Sequence, residues 1–554
     1  MGPGADIDHR GTPFTEGLLD ELLAALREPA TGAPRFGRAR FEQAVFVGKA
    51  GFDRAEFDGP ARFDWVHFLG GANFREAKFR RDARFADAKI SGSALFRRSE
   101  IHGEAWFRRA LFGGNADFYS VKIEGLARFA EAQFKGKSNF VGATFSGGAW
   151  FPDVHFEQRA EFTGSVFSGS ARFIKVRFTG DAVFATAEFE RNARMGPITC
   201  AGTLHLSEAV FRTAVTIEAA ATTVLCRRTQ WDSTAALRLR YASVDLTDAV
   251  WEYPVSVAAH SRPFVWGSEN IAEPGLTDPR VRVVSLRGVD AAHLVLTGVD
   301  LSDCRFAGTL RLDQVRLEGR YTLATTPSGL RWHGVRPVRW TQRRILAEEH
   351  HWRATQGMDS SGWMPASAGE SVLEPAELAP VYRQLRKSLE DSKHEPGAAD
   401  FYYGEMEMRR HADDIPWPER ALLAIYWAVS GYGLRASRAL GWLLVTMVAT
   451  VFTMMLWGLP QDEPKPTSVG DLTGRSITMT TDTSDPINPT DPWPERLSTD
   501  RFEGSLQVVI NSVIFRTSGQ DLTTTGTYIE MASRLTEPVL LGLAVLAIRG
   551  RVKR

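Results

Sequence analysis

The residue types most able to do chemistry lie in the last two fifths of the sequence. A Glu-Glu-His-His run occupies 348–351, and Glu405 and Glu407 form a pair of carboxylates. Adjacent histidines project from different faces of a helix, and the i, i+4 spacing of two-histidine metal sites is absent. Glutamates spaced by two on a helix also face apart. Since the sequence carries no glycine-rich phosphate loop and no nucleophile motif, we expect no catalytic, metal or cofactor residues.

Composition narrows the class of protein. The 554 residues have a formal net charge of zero, which gives no global argument for nucleic-acid binding. Three cysteines indicate a reducing compartment and argue against a disulfide framework. The first thirty residues lack a secretory signal. Instead, an N-terminal amphipathic helix is predicted within 1–30, with Thr15 as its N-cap.

Repetition dominates the first part of the chain. Between residues 46 and 217 an apolar residue recurs at alternating steps of six and five, and 25 of these 32 positions are Phe. A small or aliphatic residue, mostly Ala, stands two positions before each one. Such steps form no stripe on a helix, whereas positions i−2 and i share one side of an extended segment. The pattern therefore predicts a solenoid that bends at every repeat, with Ala and Phe inside.

The segments ARFDWVHF, ANFREAKF and AEFTGSVF carry this pattern and resemble the pentapeptide-repeat family. The resemblance implies a β-solenoid over 35–218, a right-handed quadrilateral β-helix with one repeat per side. A sixth residue in alternate repeats is expected at every second corner, giving about 22 residues per coil. A degenerate continuation, interrupted by an insertion near 255–282, is expected over 219–320. The three cysteines, Cys200, Cys226 and Cys304, fall at inward positions and are expected to fill the core.

The charge of the predicted rod bears on its partners. Some pentapeptide-repeat proteins imitate DNA, which requires an acidic surface. Residues 35–217 hold 27 Lys and Arg against 20 Asp and Glu, an excess of seven positive charges. Paired arginines at 80–81, 97–98 and 108–109 raise the possibility of a basic stripe, although arginines that only solvate a surface are more frequent. We expect no DNA mimicry, and nucleic acid is not an expected partner.

After 320 the repeats give way to helical patterns. A linker with one helix is predicted over 321–375, and a helical hairpin with a pre-membrane segment over 376–434. The stretches YRQLRKSLED, ADFYYGEMEMRR and SGYG resemble bacterial membrane proteins that join pentapeptide repeats to a two-helix pore-like domain. The resemblance implies a membrane-anchored member of that family, with a degenerate pore domain similar to that of two-helix potassium channels.

Two segments are candidates for transmembrane helices. Residues 439–459 contain no charge and are long enough to cross a bilayer. Residues 529–548 include Glu530, Arg534 and Glu537, which are spaced to pair along a helix. The segment 460–535 holds six Lys and Arg against eleven Asp and Glu, while basic residues flank both spans.

The positive-inside rule then predicts the topology. We expect a multi-pass protein of the plasma membrane with an extracytoplasmic loop at 460–504. Both termini are expected in the cytosol, including the basic tail 549–554.

Two glycine motifs bear on ion conduction. Gly-Tyr-Gly at 431–433 precedes the first span, where we expect a turn and not a carbonyl-lined filter. A pore-helix-like segment is predicted at 505–528. Within it, five residues lie where two-helix potassium channels carry their filter: Thr517, Ser518, Gly519, Gln520 and Asp521. Gln520 replaces the Tyr-Gly pair of that filter, so one residue able to turn its carbonyl oxygen inward is missing.

The sequence as a whole predicts a non-enzymatic, membrane-anchored scaffold or interaction protein with a degenerate pore-like domain. Its expected partners are the lipid bilayer, further copies of itself in a dimer or tetramer, and an unidentified cytosolic protein. The alternative is a non-selective or atypical ion channel gated through the cytosolic solenoid.

Overall fold

The computed structural model describes residues 2–333, 336–339, 341–356, 362–461, 466–473, 476–483, 485–514 and 521–552. The chain divides into two compact units, residues 1–401 and 402–554. The first unit contains a β-solenoid, and helices follow it. The solenoid has about 13 turns. The predicted fold class, a β-solenoid followed by helices that include two apolar ones, is therefore confirmed.

Each coil of the regular solenoid contains four short parallel strands. Pairing joins Ala61 to Ala83 and Ala83 to Ala105 on one side of the coil. On the next side, His67 pairs with Lys89. The register therefore advances by 22 residues per coil, as the spacing predicts, and the solenoid has four sides, called here faces 1 to 4.

The strands of the regular coils divide among the four faces. Face 1 contains Ala61–Arg62, Ala83–Arg84, Ala105–Trp106, Ala127–Arg128, Ala149–Trp150 and Ala171–Phe173. Face 2 contains Pro13–Phe14, Val45–Phe46, His67–Phe68, Lys89–Ile90, Leu111–Phe112, Gln133–Phe134, His155–Phe156 and Arg177–Phe178. Face 3 contains Ala50–Gly51, Ala72–Asn73, Ala94–Leu95, Ala116–Asp117, Ser138–Asn139, Ala160–Glu161 and Ala182–Val183. Face 4 contains Glu56–Phe57, Lys78–Phe79, Glu100–Ile101, Lys122–Ile123, Thr144–Phe145, Val166–Phe167, Glu188–Phe189, Val210–Phe211, Gln230–Trp231 and Val250–Trp251, and Arg35–Arg40 spans faces 4 and 1.

The interior consists of columns of stacked aromatic rings. Along face 3 neighbouring ring centroids are 4.7–5.1 Å apart and the ring planes agree within 10°, through Phe52, Phe74, Phe96, Phe118, Phe140, Phe162 and Phe184. All seven side chains are fully buried. Stacking at this distance combines burial with the favourable geometry of aromatic pairs. The Ala two positions earlier is small enough to leave room for the rings.

The corners alternate in length. Two residues separate Phe52 from Ala55, and three separate Phe57 from Ala61, so the sixth residue lies at every second corner, as predicted. At one long corner glycines stack in the column Gly48, Gly70, Gly92, Gly114 and Gly136. A Cβ on Gly70 would lie 2.5 Å from the carbonyl oxygen of Gly48. Only glycine lets the backbones of successive coils approach this closely.

The N-terminal segment adds to the solenoid. The strand Ala5–Asp8 pairs with Arg35–Arg40, and Pro13–Phe14 pairs with Val45–Phe46. Helix α1 is shorter than the predicted 1–30 segment and covers Glu16–Ala25, with Thr15 accepting a hydrogen bond from the amide of Leu18. The sequence pattern does not reveal the two strands, because they are too few to show a period.

Two strands that begin at or after residue 193 are longer and pass the corners without a break, Ala193–His205 and Val215–Leu225. The later strands are shorter: Ala235–Arg240, Ser243–Asp245, Val255–Ala259, Arg282–Ser285, Leu294–Thr297, Asp300–Leu301, Arg316–Glu318 and Thr322–Thr325, with 3-10 turns at Ala291–His293 and Leu312–Gln314. The register shortens to 20 residues, since Val210 pairs with Gln230 and Gln230 with Val250. A small hairpin, Val265–Trp266 with Glu269–Asn270, lies within the predicted insertion.

Helices and a short strand close the end of the solenoid. The strand Arg344–Ile345 runs antiparallel to Thr322–Thr325, and a separate hairpin pairs Leu330–His333 with Arg336–Arg339. Helices α2 (Ala347–Ala354), α3 (Pro375–Asp391) and α4 (Glu395–His411) follow. On α3, Ser388 donates a hydrogen bond of 2.7 Å to the carbonyl oxygen of Val315. The Glu348 carboxylate accepts the amides of Phe306 and Ala307 at 2.6 and 3.0 Å, so a side chain satisfies donors of the last coils.

Glu349 forms the centre of a buried charge network beside this cap. Its carboxylate accepts hydrogen bonds from Arg343 at 2.6 Å, from Arg353 at 2.7 Å and from the hydroxyl of Tyr382. The side chain of Glu349 is fully buried. Burial opposes its ionisation, but the two arginines and the hydrogen bonds outweigh burial and lower the pKa of Glu349 to about 2.

The second unit is mainly helical. Helices α5 (Trp417–Ser430), α6 (Ala436–Thr453), α7 (Trp493–Arg496), α8 (Thr499–Ile514) and α9 (Thr524–Val552) make up most of it. A π-helical turn, Met454–Gly458, continues α6. The strands Pro466–Thr473 and Ser476–Thr483 form an antiparallel hairpin.

Replacing Glu349 with Gln should destabilise the helical cap by about 3–5 kcal/mol at neutral pH, because Arg343 and Arg353 would lose the buried carboxylate to which both donate. A lowered pKa means that this stabilisation is present above pH ~4.5 and is lost as the pH falls toward ~2. Hydrogen exchange of amides in 344–356 and 378–390 measures the effect at pH 7 and near pH 3. The control is Glu390→Gln, which removes an exposed carboxylate of α3. Equal exchange in both variants at pH 7 would contradict the prediction.

Candidate functional site

Two helices of the second unit are long and apolar enough to cross a membrane, Ala436–Gly458 and Thr524–Arg549. The predicted spans, 439–459 and 529–548, fall within or at the edge of these helices. Only 33% and 22% of their most apolar windows are buried inside the unit. Their exposed side chains are mostly large and apolar, including Leu440, Leu444, Val445, Val448, Phe452, Leu535, Val539, Val545, Leu546 and Ile548. The two helices therefore present apolar surface outward, as lipid-facing helices do.

The candidate site is the place where the first of these helices ends against the start of the second. Thr523 donates hydrogen bonds to the carbonyl oxygens of Trp457 and Gly458, at 2.7 and 3.2 Å. The same hydroxyl accepts the amide of Gly526 at 3.0 Å and so caps α9. A Cβ on Gly526 would lie 2.2 Å from the oxygen of Gly458. The two backbones touch here because residue 526 has no side chain.

Arg501 of α8 closes the same site from another side. Its guanidinium donates to the carbonyl oxygens of Met455, Leu459 and Pro460 at 3.0, 2.8 and 2.9 Å. The last carbonyls of a helix lack hydrogen-bond donors within the helix and carry partial negative charge. A guanidinium at this position supplies the donors and compensates the charge. Arg496 adds a bond of 3.0 Å to the carbonyl oxygen of Leu456.

The two glutamates of the second span, Glu530 and Glu537, are buried in the unit. Glu530 pairs with Arg534 at 2.6 Å, four residues further along the helix, as their spacing predicts. Glu537 is fully buried and accepts a hydrogen bond of 3.0 Å from Thr450 of α6. Contacts within one chain therefore take up carboxylates that would be costly against lipid.

Helix α8 lies between the two spans in sequence and packs against the first. Val509 forms an apolar cluster with Val451 and Met455 of the first span, and Val508 is also fully buried. The helix covers Thr499–Ile514 and so begins before the predicted pore-helix-like segment 505–528. The predicted segment starts where an apolar run begins in the sequence, whereas the helix starts earlier, among charged residues.

Of the five predicted pore-like residues, the structure describes Asp521. Thr517, Ser518, Gly519 and Gln520 lie outside the described residues. Asp521 is exposed and stands three residues before α9. The structure therefore shows the elements on both sides of the predicted filter position, and the filter itself stays a prediction.

The Gly-Tyr-Gly motif forms a turn between α5 and α6. Gly431, Tyr432 and Gly433 all have left-handed backbone conformations, with φ of 55°, 58° and 73°. The Tyr432 ring packs on Tyr403, with centroids 5.0 Å apart, and its hydroxyl donates to Glu407 at 3.0 Å. Burial raises the pKa of Tyr432 above its usual range. The motif is thus a helix-ending turn held by a buried carboxylate, and Glu407 has a structural partner.

The other residues that could be reactive or bind a metal have structural roles. Cys200, Cys226 and Cys304 are buried, and burial raises the pKa of the first two thiols to about 12, which keeps them protonated. His350 bonds to the carbonyl oxygen of Thr325 at 3.1 Å. Within the described ranges, no group of three His, Cys, Asp or Glu residues is arranged to hold a metal ion.

Sequence reasoning missed Arg501, Thr523 and Gly526, which build the site. Each is an unremarkable residue type at its position, and none belongs to a motif. The available signal is positional, since a lone arginine and a Thr-x-x-Gly step flank the ends of apolar segments. Which carbonyl each residue reaches depends on how the helices fold back on one another.

Comparison with known proteins identifies the repeats. A family model described as pentapeptide repeats (9 copies) matches residues 41–88, 74–122 and 118–166. These ranges lie within the regular coils, where the ring columns and four-sided pairing occur. No curated protein and no solved structure matches the chain.

Gly526→Ala and Gly542→Ala should have opposite effects on the second unit. Both changes add one methyl group within α9, and alanine is intrinsically the better helix former by about 1 kcal/mol. At Gly542 nothing lies within 4 Å of the new atom, so the variant should be neutral or slightly stabilised. At Gly526 the methyl group meets the backbone of Gly458, which should cost about 1–3 kcal/mol. Thermal unfolding in detergent compares them, and a Gly526→Ala protein as stable as Gly542→Ala would refute the contact.

Proposed function

We propose that this chain, whose solenoid is built from pentapeptide repeats, is a non-enzymatic scaffold or interaction protein anchored in the plasma membrane. The observation that carries the proposal is the outward apolar surface of the two long helices of the second unit. Side chains such as Val445 and Val448 are about half exposed, at 56% and 47%, near the middle of the first span. Such a surface is stable in lipid and prone to aggregation in water.

The construction of the solenoid supports a scaffolding role. Its interior is filled by rings and by small residues, and its outward residues repeat in straight columns along each face. Repeat proteins present extended surfaces of this kind to their partners. The buried cysteines and the paired carboxylates of the cap are used for packing and for closing the solenoid.

The topology of the proposal follows from the distribution of charge. The segment between the spans is acidic, and basic residues flank both spans on their other sides. We place both termini and the solenoid in the cytosol on this basis. Further copies of the chain, in a dimer or tetramer, belong to the proposal, because the exposed faces of α6 and α9 are surfaces on which spans can pack.

Membrane anchoring predicts how two double variants partition. Val445→Lys with Val448→Lys places two charges on the lipid-facing side of the first span, at about 2.5–3.5 kcal/mol each. The matched control, Leu422→Lys with Ile425→Lys, changes exposed apolar residues of α5 outside both spans. After alkaline extraction, the wild-type and control proteins should stay in the membrane pellet and the span variant should be depleted from it. Recovery of the wild-type chain in a detergent-free supernatant would refute the anchor.

A second candidate function is an ion channel, non-selective or atypical, gated through the solenoid. The order of elements supports it: a span, the short helix α8 packed on that span, and a second span. Two spans of one chain cannot enclose a pore, so this function requires an oligomer. The predicted filter position, 517–521, departs from the potassium-channel pattern at Gln520.

Ion flux through reconstituted protein separates the two functions. A channel should give flux of both K⁺ and Na⁺ that Gly519→Trp abolishes, because the large ring would fill the predicted filter position. The scaffold function predicts flux no greater than that of empty vesicles, for both the wild-type chain and the variant.

A further inference from the structure

Face 1 of the solenoid carries a column of outward arginine and tryptophan residues. The parallel register aligns Arg40, Arg62, Arg84, Trp106, Arg128, Trp150, Arg172 and Arg194, one from each successive coil. We call these eight residues the Arg–Trp column. The other faces are different: face 4, for example, alternates charges, with Lys78 near Glu56 and Lys122 near Glu100.

The members of the column stack on one another. The Arg128 guanidinium lies 4.4 Å from the ring centre of Trp106 and 5.2 Å from that of Trp150. Arg84 covers the other side of Trp106 at 5.2 Å, and Arg172 covers Trp150 at 4.9 Å. Cation–aromatic contacts of this length are attractive and hold the guanidinium groups flat and in line.

Acidic neighbours compensate one end of the column and not the other. Arg84 pairs with Asp64 at 3.0 Å, and Arg128 pairs with Glu104 at 3.2 Å. Within the described part of the chain, Arg172 and Arg194 form no ion pair, and both are exposed. The end of the column nearer the C terminus therefore has cationic, aromatic surface available for a partner.

This column differs from the basic stripe considered for the paired arginines at 80–81, 97–98 and 108–109. Arg80 lies at the corner between faces 4 and 1, Arg97 between faces 3 and 4, and Arg108 between faces 1 and 2. Those pairs point in three directions and form no stripe. The column instead uses the single residue between the inward Ala and the next inward residue of each face 1 repeat, which is Phe in every case except Met195.

The insertion hairpin covers the last position of this end, Arg194, and leaves Arg172 exposed. Trp266 at its tip lies under the guanidinium of Arg194, at 4.8 Å. Glu269 lies 3.9 Å from Lys175, which also pairs with Asp153 at 2.8 Å. The base of the insertion is tied down by Glu273, which pairs with Arg240 at 2.8 Å and accepts the hydroxyl of Tyr241. An acidic, aromatic segment of the chain itself thus docks on the column.

We propose that the Arg–Trp column around Arg172 and Arg194 is a docking surface for an extended, acidic segment of a partner protein that carries an aromatic side chain. The insertion hairpin shows the recognition chemistry: a ring stacks on a guanidinium, and a carboxylate pairs with a neighbouring amine. A partner segment continues the alternation of cation and ring along face 1. Displacement of Trp266 opens the last position. This proposal rests on the scaffold function and names the partner's chemistry.

The surroundings favour a peptide over a polyanion. A uniformly charged phosphate backbone lying along the whole column would meet Asp64 and Glu104 beside Arg84 and Arg128, where the arginines are already paired. A peptide can place one carboxylate beside Arg172 and Arg194 and leave neutral residues opposite the acids. Rings and guanidinium groups also accept an aromatic side chain, which a phosphate surface does not supply.

Binding of a labelled Glu-Trp repeat peptide to the purified full-length chain in uncharged detergent tests the proposal. Arg172→Glu with Arg194→Glu should bind the peptide about tenfold more weakly than the wild type. Lys89→Glu with Lys135→Glu, the control, reverses the same number of exposed charges, at face 2 and at its corner with face 3, and should bind as the wild type does. Trp266→Ala frees Arg194 and should bind the peptide more tightly than the wild type.

Several results would overturn the docking surface. Equal affinity of the two double variants is one, and binding of a Lys-Trp peptide as tight as that of the Glu-Trp peptide is another. If anionic vesicles or single-stranded DNA bind the wild type and lose binding in the Arg172 and Arg194 variant while the peptide does not, the face belongs to that class of partner. The docking surface makes no prediction about membrane partition. If the wild-type chain does not stay in the membrane pellet, the anchor is wrong, and peptide binding still decides the docking surface.

Discussion

Parallel stacking of aromatic rings from coil to coil is the interaction on which the first unit depends. Rings such as Phe96, Phe118 and Phe140 lie 4.8–4.9 Å apart, which is the spacing of hydrogen-bonded strands, so side-chain stacking and backbone pairing reinforce each other. The same register brings corner glycines into backbone contact and lines up the outward residues. The Arg–Trp column is therefore a consequence of the core, because a fixed coil length repeats every surface position in a straight line.

A solenoid built this way leaves backbone amides without partners at its end, and the helical cap provides polar groups that bind them. Glu348 supplies an acceptor to amides of the last coils, while Glu349 is held by Arg343, Arg353 and Tyr382. Buried charges of this kind add specificity of fit at the cost of desolvation. The Glu-Glu-His-His run, which has the composition of a metal site, serves instead to join the cap to the coils.

The second unit reverses the arrangement of the solenoid. Its large apolar side chains point outward, and its polar contacts lie between helices: Arg501 on the carbonyls that end the first span, Thr523 at the start of the second, and Glu537 on Thr450. Backbone groups at a helix end lack partners within the helix, and here side chains of the same unit supply them. This arrangement fits the membrane anchor that we propose for the unit.

The sequence alone determined the class of fold, the length of the coil, the alternation of corners and the two apolar helices. Each of these features produces a regular spacing or a run of apolar residues in the sequence. It left open everything that joins segments distant along the chain. Glu349 meets Tyr382, Gly526 meets Gly458, and Trp266 reaches back to Arg194 only once the chain has folded, and no local pattern marks them. The first strands, Ala5–Asp8 and Pro13–Phe14, were hidden for a related reason, since a repeat that occurs once has no period.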